Sequence, residues 1–158
     1  MSDELDEVEK IAHYDQLLLE VKGLVTGEED LIANLANITA AIHYRMDFWW
    51  TGFYFAKGKE LVLGPFQGPV ACTRIAYDKG VCGKSWASKE TLVVPDVHLF
   101  PGHIACSAAS NSEIVLPIFD KNNEVAMVLD IDSEHFNTFN ETDQLYLEKI
   151  CRIISDLL

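Results

Sequence analysis

Two apolar segments joined by a short polar one constrain the possible folds of this chain more than any other feature of its sequence. Residues 113–119 and 124–131 are rich in branched and aromatic side chains, which favour β-strands, and the polar segment 120–123 separates them. A connection of this length between two such segments predicts a β-hairpin. We therefore expect antiparallel strands at the centre of the fold, joined by a two-residue turn in the middle of the polar segment.

The register of this hairpin would bring three carboxylates together. A two-residue turn places Glu113 opposite Asp130, and Asp132 follows two positions later on the same strand. Opposed residues, and residues two apart on one strand, point to the same face of a sheet. Because facing like charges are destabilising, the cluster predicts a pocket for an ammonium group or a metal, or a carboxylic acid that its neighbours keep protonated. The alternative is a different register, or strand ends that reach solvent.

Helices are predicted at both ends of the chain. Apolar residues recur near helical spacing over residues 4–24. The sequence Thr26-Gly27-Glu28-Glu29 then matches a capping box, which would begin a second helix with Thr26 as its N-cap. Asn140 and Thr142 are candidate N-caps for a closing helix that carries an apolar stripe.

The middle of the chain predicts further strands and one short helix. Strands are expected at residues 48–55, 61–63, 69–75 and 92–94, and a helix at residues 81–88. The pattern indicates a single α+β domain over residues 1–158, with a central antiparallel sheet. Its parts would be N-terminal helices in residues 1–45, the sheet and active-site loops in residues 46–135, and a packed C-terminal helix in residues 140–158.

Charge and hydropathy exclude several classes of partner. The formal net charge of −13 argues against binding to nucleic acid or to an anionic membrane, because both reward positive surface. No apolar run approaches the roughly 18 to 20 residues that span a bilayer. The first seven residues are acidic, unlike a secretory or mitochondrial leader. We expect a cytoplasmic protein that binds neither nucleic acid nor membrane.

The cysteines are the candidate reactive groups of the chain. They are Cys72, Cys82, Cys106 and Cys151. No Cys-x-x-Cys pair and no zinc-finger spacing of histidines occurs, so we expect no structural zinc, and the residues point to no other cofactor. Cys82 lies near the start of a predicted helix, whose dipole favours a thiolate, and Cys106 lies in a loop after His103, which would favour its thiolate. Cys151 lies on the apolar stripe of the last helix and is expected to be a buried core residue.

Six sequence motifs together resemble a known family. They are Gly64-Pro65-Phe66-Gln67-Gly68, Ala71-Cys72-Thr73-Arg74-Ile75, Gly80-Val81-Cys82-Gly83, Gly102-His103-Ile104-Ala105-Cys106, Ser110-Asn111-Ser112-Glu113-Ile114-Val115-Leu116-Pro117 and Asp130-Ile131-Asp132-Ser133. This set resembles the free methionine-R-sulfoxide reductases, which are single-domain GAF proteins. The resemblance runs from about residue 14 to the C-terminus.

The resemblance implies a thiol mechanism. The thiolate of Cys106 would attack the sulfur of free methionine-R-sulfoxide, release methionine and become a sulfenic acid. Cys72 or Cys82 would then condense with it to a disulfide, and of the two we favour Cys72. A thioredoxin-type reductant would restore the thiols. The resemblance also implies a homodimer.

The resemblance assigns a substrate pocket as well. Glu113, Asp130 and Asp132 match acids that hold the ammonium and sulfoxide ends of the substrate, in agreement with the face predicted from the hairpin. Trp50 matches an aromatic residue that packs against the terminal methyl group, and Tyr54 would share its strand face.

Other side chains near these positions are expected to pack in the core. Trp49 and Phe53 alternate with Trp50 and would point to the opposite face of the strand. Met127 occupies a position where the family usually has glycine. Alternation directs Met127 away from the face of Asp130, so this departure bears on packing rather than on chemistry.

A second function fits the same fold. A GAF domain can serve as a module that senses a small molecule or a redox state without turnover, because a fold alone does not define a function. A sensor usually needs an output domain, and a single domain of this length leaves no room for one. The sensor would also leave the three cysteines and three acids to be explained separately.

Overall fold

The computed structural model describes residues 6–158, and within them one antiparallel sheet carries helices on its faces. The helices are α1 (Glu7–Val25), α2 (Leu31–Met46), α3 (Gly80–Ser88) and α4 (Glu141–Ser155). The strands are β1 (Trp50–Lys57), β2 (Glu60–Gln67), β3 (Arg74–Ala76), β4 (Leu92–Val94), β5 (Ser112–Phe119) and β6 (Val125–Ser133), in the spatial order β3-β2-β1-β6-β5-β4. The predicted α+β class is confirmed. The start of the first predicted helix, at residues 4 and 5, lies outside the described residues.

The second helix begins later than the capping box predicted. Its N-cap is Asp30, whose carboxylate accepts a hydrogen bond of 2.9 Å from the backbone N–H of Ala33. Thr26 instead ends α1, and its hydroxyl donates to the carbonyl of Lys22 at 2.7 Å. Gly27 has φ of +81°, the left-handed conformation that follows a helix end, so it cannot be the first residue of a helix. The predicted N-cap at Thr26 is therefore wrong.

The last helix is capped as the sequence indicates, and its cap also holds α1. Asn140 is the N-cap of α4 and forms a capping box with Asp143. The buried carboxylate of Asp143 accepts hydrogen bonds from the Tyr14 hydroxyl at 2.6 Å and from the Lys10 ammonium at 2.8 Å. One carboxylate thus joins the two ends of the described chain. Among the described helices, none is both long and apolar enough to cross a membrane.

The sheet separates two apolar cores. One face packs against α1, α2 and α4 through buried side chains that include Phe53, Leu116, Met127 and Leu129. The other face packs against α3 and the loops around it, through Trp50, Tyr54, Val115, Val128 and their neighbours. We call these the helix-side core and the site-side core. Strands β1, β5 and β6 contribute residues to both cores, because side chains alternate between the two faces of a strand.

The aromatic residues at the start of β1 follow this alternation only in part. Phe53 and Met127 lie in the helix-side core, as predicted. Trp49 is half-buried and packs against the site-side core instead. Because β1 begins at Trp50, Trp49 precedes the strand and the alternation does not govern it. The prediction that Trp49 packs on the other face is wrong.

The central hairpin has a different register from the predicted one. Glu113 lies opposite Asp132, and Asp130 lies opposite Val115. The turn is longer than two residues because the Asp120 carboxylate accepts hydrogen bonds from the backbone N–H groups of Asn122 and Glu124, at 2.8 and 3.1 Å. The predicted pairing of Glu113 with Asp130 is therefore wrong. A shift of two residues preserves the face, so the three carboxylates still point to the same side of the sheet.

Candidate active site

A pocket lies on the site side of the sheet, between the ends of β1, β5 and β6, helix α3 and the loop before β5. Its lining includes Trp50, Tyr54, Cys82, His103, Cys106, Glu113, Asp130 and Asp132. Each candidate site residue from the sequence except Cys72 is in this set. Cys72 borders the pocket through a disulfide bond to Cys106.

Three carboxylates form the floor of the pocket. Glu113 and Asp130 are buried and Asp132 is half-buried, because all three project from adjacent strands into the site-side core. Burial, together with the charges of Asp130 and Asp132, raises the pKa of Glu113 well above its usual range. Burial and the charge of Asp130 do the same to the pKa of Asp132. The environment of the floor therefore favours the protonated form of these acids.

One oxygen of this floor is available to a ligand. Burial raises the pKa of Asp130, while hydrogen bonds from Glu113 and Cys82 oppose that rise. Glu113 and Cys82 thus favour the ionised form of Asp130, in opposition to its burial. Among the described residues, Asp130 Oδ1 is buried and has no hydrogen-bond partner. A buried acceptor without a partner is costly, so this atom favours a ligand that brings a donor, such as an ammonium group.

Cys82 lies within the acid cluster and is a thiol, not a thiolate. It belongs to the first turn of α3, and its Sγ is 4.0 Å from Glu113 Oε1. Burial raises its pKa well above the usual range, and the charges of Asp130 and Glu113 raise it further. The helix dipole contributes only about 0.3–1 kcal/mol, too little to offset complete burial beside carboxylates. The prediction that the helix start favours a thiolate at Cys82 is wrong.

The same residues offer a set of donors for a metal ion. One ligand atom each from Cys82, Glu113 and Asp130 lies within 4.8 Å of the others. A thiolate with two carboxylates suits a borderline divalent cation such as Zn²⁺. Such a cation would have to displace the protons that these groups carry. The cluster can therefore hold either an ammonium group or, at higher pH, a divalent cation.

Trp50 forms a rigid wall of the pocket. Its indole Nε1 donates to the carbonyl of Pro69 at 2.9 Å, and its rings stack between those of Phe66 and Tyr54, at centroid distances of 5.4 and 6.1 Å. The indole lies over Gly52, where an added Cβ would be 2.5 Å from Trp50 Cη2. The sequence reasoning missed Gly52, although a glycine between two aromatic residues that share a strand face signals a close approach.

The two cysteines at the pocket mouth are bonded to each other. The Cα atoms of Cys72 and Cys106 are 5.5 Å apart across their disulfide, whereas Cys82 is free. Of the two candidate partners for Cys106, the structure brings Cys72 to it. The strand predicted at residues 69–75 is shorter in the structure, where β3 begins only at Arg74. Before it, the carbonyl oxygen of Cys72 accepts a hydrogen bond from the side-chain hydroxyl of Tyr54 at 2.9 Å. Cys151 is buried in the helix-side core, as expected.

The loop before β5 adds two side chains whose roles the sequence did not reveal. Ser110 donates to Asp132 Oδ1 at 2.9 Å, and its position in the Ser-Asn-Ser-Glu block was the available signal. His103 Nε2 lies 3.9 Å from Glu113 Oε2. Burial lowers the pKa of His103, so the ring is neutral at neutral pH. The effect of His103 on a Cys106 thiolate stays a prediction, because Cys106 is bonded to Cys72 in this structure.

The chain is similar to known proteins over most of its length. The chain matches the GAF domain family over residues 26–158. It is 50% identical to GAF domain-containing protein A of Dictyostelium discoideum, over 97% of each chain. It is 44% identical to the free methionine-R-sulfoxide reductase of Escherichia coli, over 94% of this chain and 90% of the relative. The solved structure of the Neisseria meningitidis free methionine-R-sulfoxide reductase in complex with its substrate superposes with a TM-score of 0.91, at 47% identity over 94% of this chain and 89% of that one.

Proposed function

Because the chain belongs to the free methionine-R-sulfoxide reductase family of GAF-domain proteins, we propose that it reduces free methionine-R-sulfoxide to methionine. The observation that carries this proposal is the Cys72–Cys106 disulfide at the mouth of a pocket floored by buried acids. A redox-active thiol and a proton store are the two components that reduction of a sulfoxide needs. A module that only binds a ligand would not need a redox-active thiol and a proton store next to each other.

The carboxylate floor gives the substrate its orientation. The substrate's ammonium group is held by Asp130, whose Oδ1 lacks a partner, and by Asp132. The terminal methyl group packs against the indole of Trp50, with Tyr54 beside it. This arrangement selects the free amino acid, because a peptide-bound residue has no ammonium group to place against the acids.

Cys106 is the nucleophile of the proposed reaction and Glu113 the acid. The Cys106 thiolate attacks the sulfoxide sulfur while Glu113, protonated because of its raised pKa, donates to the sulfoxide oxygen. The oxygen is transferred to Cys106, which becomes a sulfenic acid, and methionine leaves as the reduced product. Asp130 and Asp132 keep the proton on Glu113 until the oxygen develops negative charge.

Cys72 and a protein dithiol complete the cycle. The Cys72 thiol attacks the sulfenic sulfur, water leaves, and the disulfide present in the structure forms. A thioredoxin-type reductant then returns both cysteines to thiols. Cys82 takes part as a neutral thiol that donates to the acid cluster, since it is outside the disulfide and its pKa is raised.

Assembly and location are further parts of the proposal. We place the enzyme in the cytoplasm, where thioredoxin-type systems keep thiols reduced. We propose a homodimer, supported by apolar side chains exposed on the outer helices, among them Val8, Leu19 and Tyr44. Light scattering coupled to size exclusion tests the assembly: an elution mass of one chain at micromolar concentration would refute the dimer.

Stereospecific turnover tests the proposed function most directly. The oxidised protein is supplied with thioredoxin, thioredoxin reductase and NADPH, and methionine is measured after addition of free R-sulfoxide or free S-sulfoxide. We expect methionine only from the R form, and none from the sulfoxide within a peptide. Cys106→Ser should abolish turnover, whereas Cys151→Ser should retain it, because Cys151 lies in the helix-side core. Equal rates with the R and S forms, or turnover by Cys106→Ser, would contradict the proposal.

A further inference from the structure

We infer that the reductant attacks Sγ of Cys106, so that the sulfur that reduces the substrate is also the one that accepts the reductant. This inference rests on the proposed function and specifies the order of its last steps. A disulfide offers two sulfurs to an attacking thiolate, and access decides between them. The two cysteines of this disulfide differ in burial and in how firmly their backbones are held.

Cys72 belongs to a segment that is fixed to the sheet. Its side chain is half-buried and packs against the site-side core. Its carbonyl accepts from the Tyr54 hydroxyl at 2.9 Å, the carbonyl of Thr73 accepts from the backbone of Leu63 at 3.0 Å, and that of Pro69 accepts from Trp50 at 2.9 Å. A protein nucleophile at Cys72 would have to displace side chains that the sheet holds in place.

Cys106 belongs to a loop whose hydrogen bonds are mainly local. It is exposed, as are both neighbours on its N-terminal side, Ile104 and Ala105. Within residues 101–109, the hydrogen bonds found in the described part of the chain run from His103 to Phe100, from Cys106 to Ile104 and from Ala109 to Ser107. The loop is attached to the rest of the site by the disulfide, by the contact of His103 with Glu113 and by the side chain of Ile104, which lies against Gly80 of α3. The exposed position of Cys106 therefore favours attack at its sulfur while the disulfide is still intact.

The exchange balances in two displacements. A thiolate of the dithiol reductant bonds to Cys106 Sγ, the bond to Cys72 Sγ breaks, and Cys72 leaves with the electron pair and takes a proton. The second thiolate of the reductant then attacks the reductant's own sulfur in this mixed disulfide. Cys106 leaves as a thiolate, ready for the next substrate, and the reductant is oxidised to its disulfide. The intermediate is thus a covalent adduct on Cys106 with Cys72 free.

Rapid trapping distinguishes the two sulfurs. The oxidised full-length chain is mixed with a thioredoxin whose second active-site cysteine is serine, and in parallel with glutathione. The reaction is stopped with acid within its first turnover, free thiols are alkylated, and peptides are identified by mass spectrometry. We expect adducts on the Cys106 peptide to exceed those on the Cys72 peptide by about tenfold or more, with alkylated Cys72 in matching amount. Cys151→Ser serves as the matched control, because it removes a thiol that is buried away from the site and should leave the ratio unchanged.

The other outcomes overturn the inference. Adducts mainly on Cys72, equal adducts on both cysteines, or a disulfide that neither thiol attacks would each show that access does not direct the exchange to Cys106. The trapping contains no methionine sulfoxide, so it is independent of the proposed activity. Adducts on Cys72 together with normal methionine release would refute this inference alone. Absence of methionine release would refute the proposed function, whatever the position of the adduct.

Discussion

Replacement of Gly52 by alanine provides a quantitative test of the pocket wall. Gly52 lies on β1 between Phe66 of β2 and Asp130 of β6. A Cβ at this position would be 2.5 Å from Trp50 Cη2 and 2.6 Å from Phe66 Cβ, whereas carbon atoms pack at about 3.5–4.0 Å. Because the Phe66 Cβ is fixed to its backbone, the backbones of β1 and β2 must separate at this point, and the indole must give way as well. Its rotation would disturb the hydrogen bond from Trp50 Nε1 to Pro69 and the stacking that fixes the ring.

The expected cost follows from this crowding. An extra carbon in a packed core destabilises by about 1–3 kcal/mol, and the loss of a hydrogen bond by about 0.5–1.5 kcal/mol where it occurs. For a domain of this size each kcal/mol lowers the melting temperature by about 2–4 °C. We expect Gly52→Ala to lower the melting temperature by about 2–12 °C if the hydrogen bond survives, and by up to about 18 °C if it is lost. The KM for the sulfoxide should rise more than kcat falls, because the proposed function places Trp50 against the methyl group of the substrate and gives it no part in the transfer of protons or of oxygen.

A matched glycine supplies the control for this experiment. Gly23 lies within α1, and a Cβ added there would meet nothing within 4 Å. Alanine is favoured over glycine inside a helix by about 1 kcal/mol, so Gly23→Ala should raise the melting temperature by about 2–4 °C and leave the KM unchanged. Differential scanning calorimetry and steady-state kinetics on both variants measure the contrast. If Gly52→Ala matched Gly23→Ala in stability and KM, the tight approach of Trp50 to the sheet would be refuted.

Three further predictions concern the chemistry of the site. Glu113→Gln should lower kcat by about 10²- to 10⁴-fold, which is the usual contribution of a general acid. Turnover of the unaltered enzyme should fall as pH rises through the raised pKa of Glu113, because its proton is then lost. A pH–rate profile that is flat to alkaline pH would contradict this role. Zn²⁺ should inhibit competitively with the sulfoxide, and its inhibition should strengthen as pH rises, because Cys82, Glu113 and Asp130 must lose protons to bind it. Inhibition that Cys82→Ser leaves unchanged would argue against this metal site. Cys72→Ser should let the sulfenic acid on Cys106 accumulate, which dimedone labelling after one turnover would detect. Cys82→Ser should still form the disulfide between Cys72 and Cys106. The reverse pattern would make Cys82 the resolving residue.

Local periodicity predicted the face of the active-site acids, although it did not predict their partners. The face depends only on whether positions along β5 and β6 are odd or even, and a register shift of two residues leaves that unchanged. The partner depends on the length of the turn, which the Asp120 side chain extends by accepting two backbone hydrogen bonds. The sequence contains this aspartate, but which backbone groups it binds is settled only once the strands have paired.

Errors elsewhere have a similar origin in competition between signals. Thr26 and Asp30 are both residue types that cap helices. The left-handed conformation of Gly27 prevents α2 from beginning after Thr26, so its N-cap is Asp30. The acidity of Cys82 was judged from its own helix, whereas the carboxylates that raise its pKa come from strands more than 30 residues away. Long-range electrostatics of this kind depends on the fold. The partner of Cys106 could be ranked but not fixed, because a disulfide needs Cα atoms within about 7 Å and spacing along the chain does not give that distance.

The carboxylate of Asp143 has a consequence for where this domain can be cut. The match to the GAF domain family begins at residue 26, so a boundary drawn from the family alone would exclude α1. Asp143 would then lose the Tyr14 hydroxyl and the Lys10 ammonium, and the helix-side core would lose the buried side chains of Leu17 and Val21. Full burial of one such apolar side chain contributes about 1.5–3 kcal/mol, so loss of two removes a large part of the roughly 5–15 kcal/mol that keeps a typical domain folded. The smallest independently folding unit of this chain therefore includes its first helix, and a truncated protein that begins at residue 26 is expected to aggregate or to unfold at ordinary temperatures.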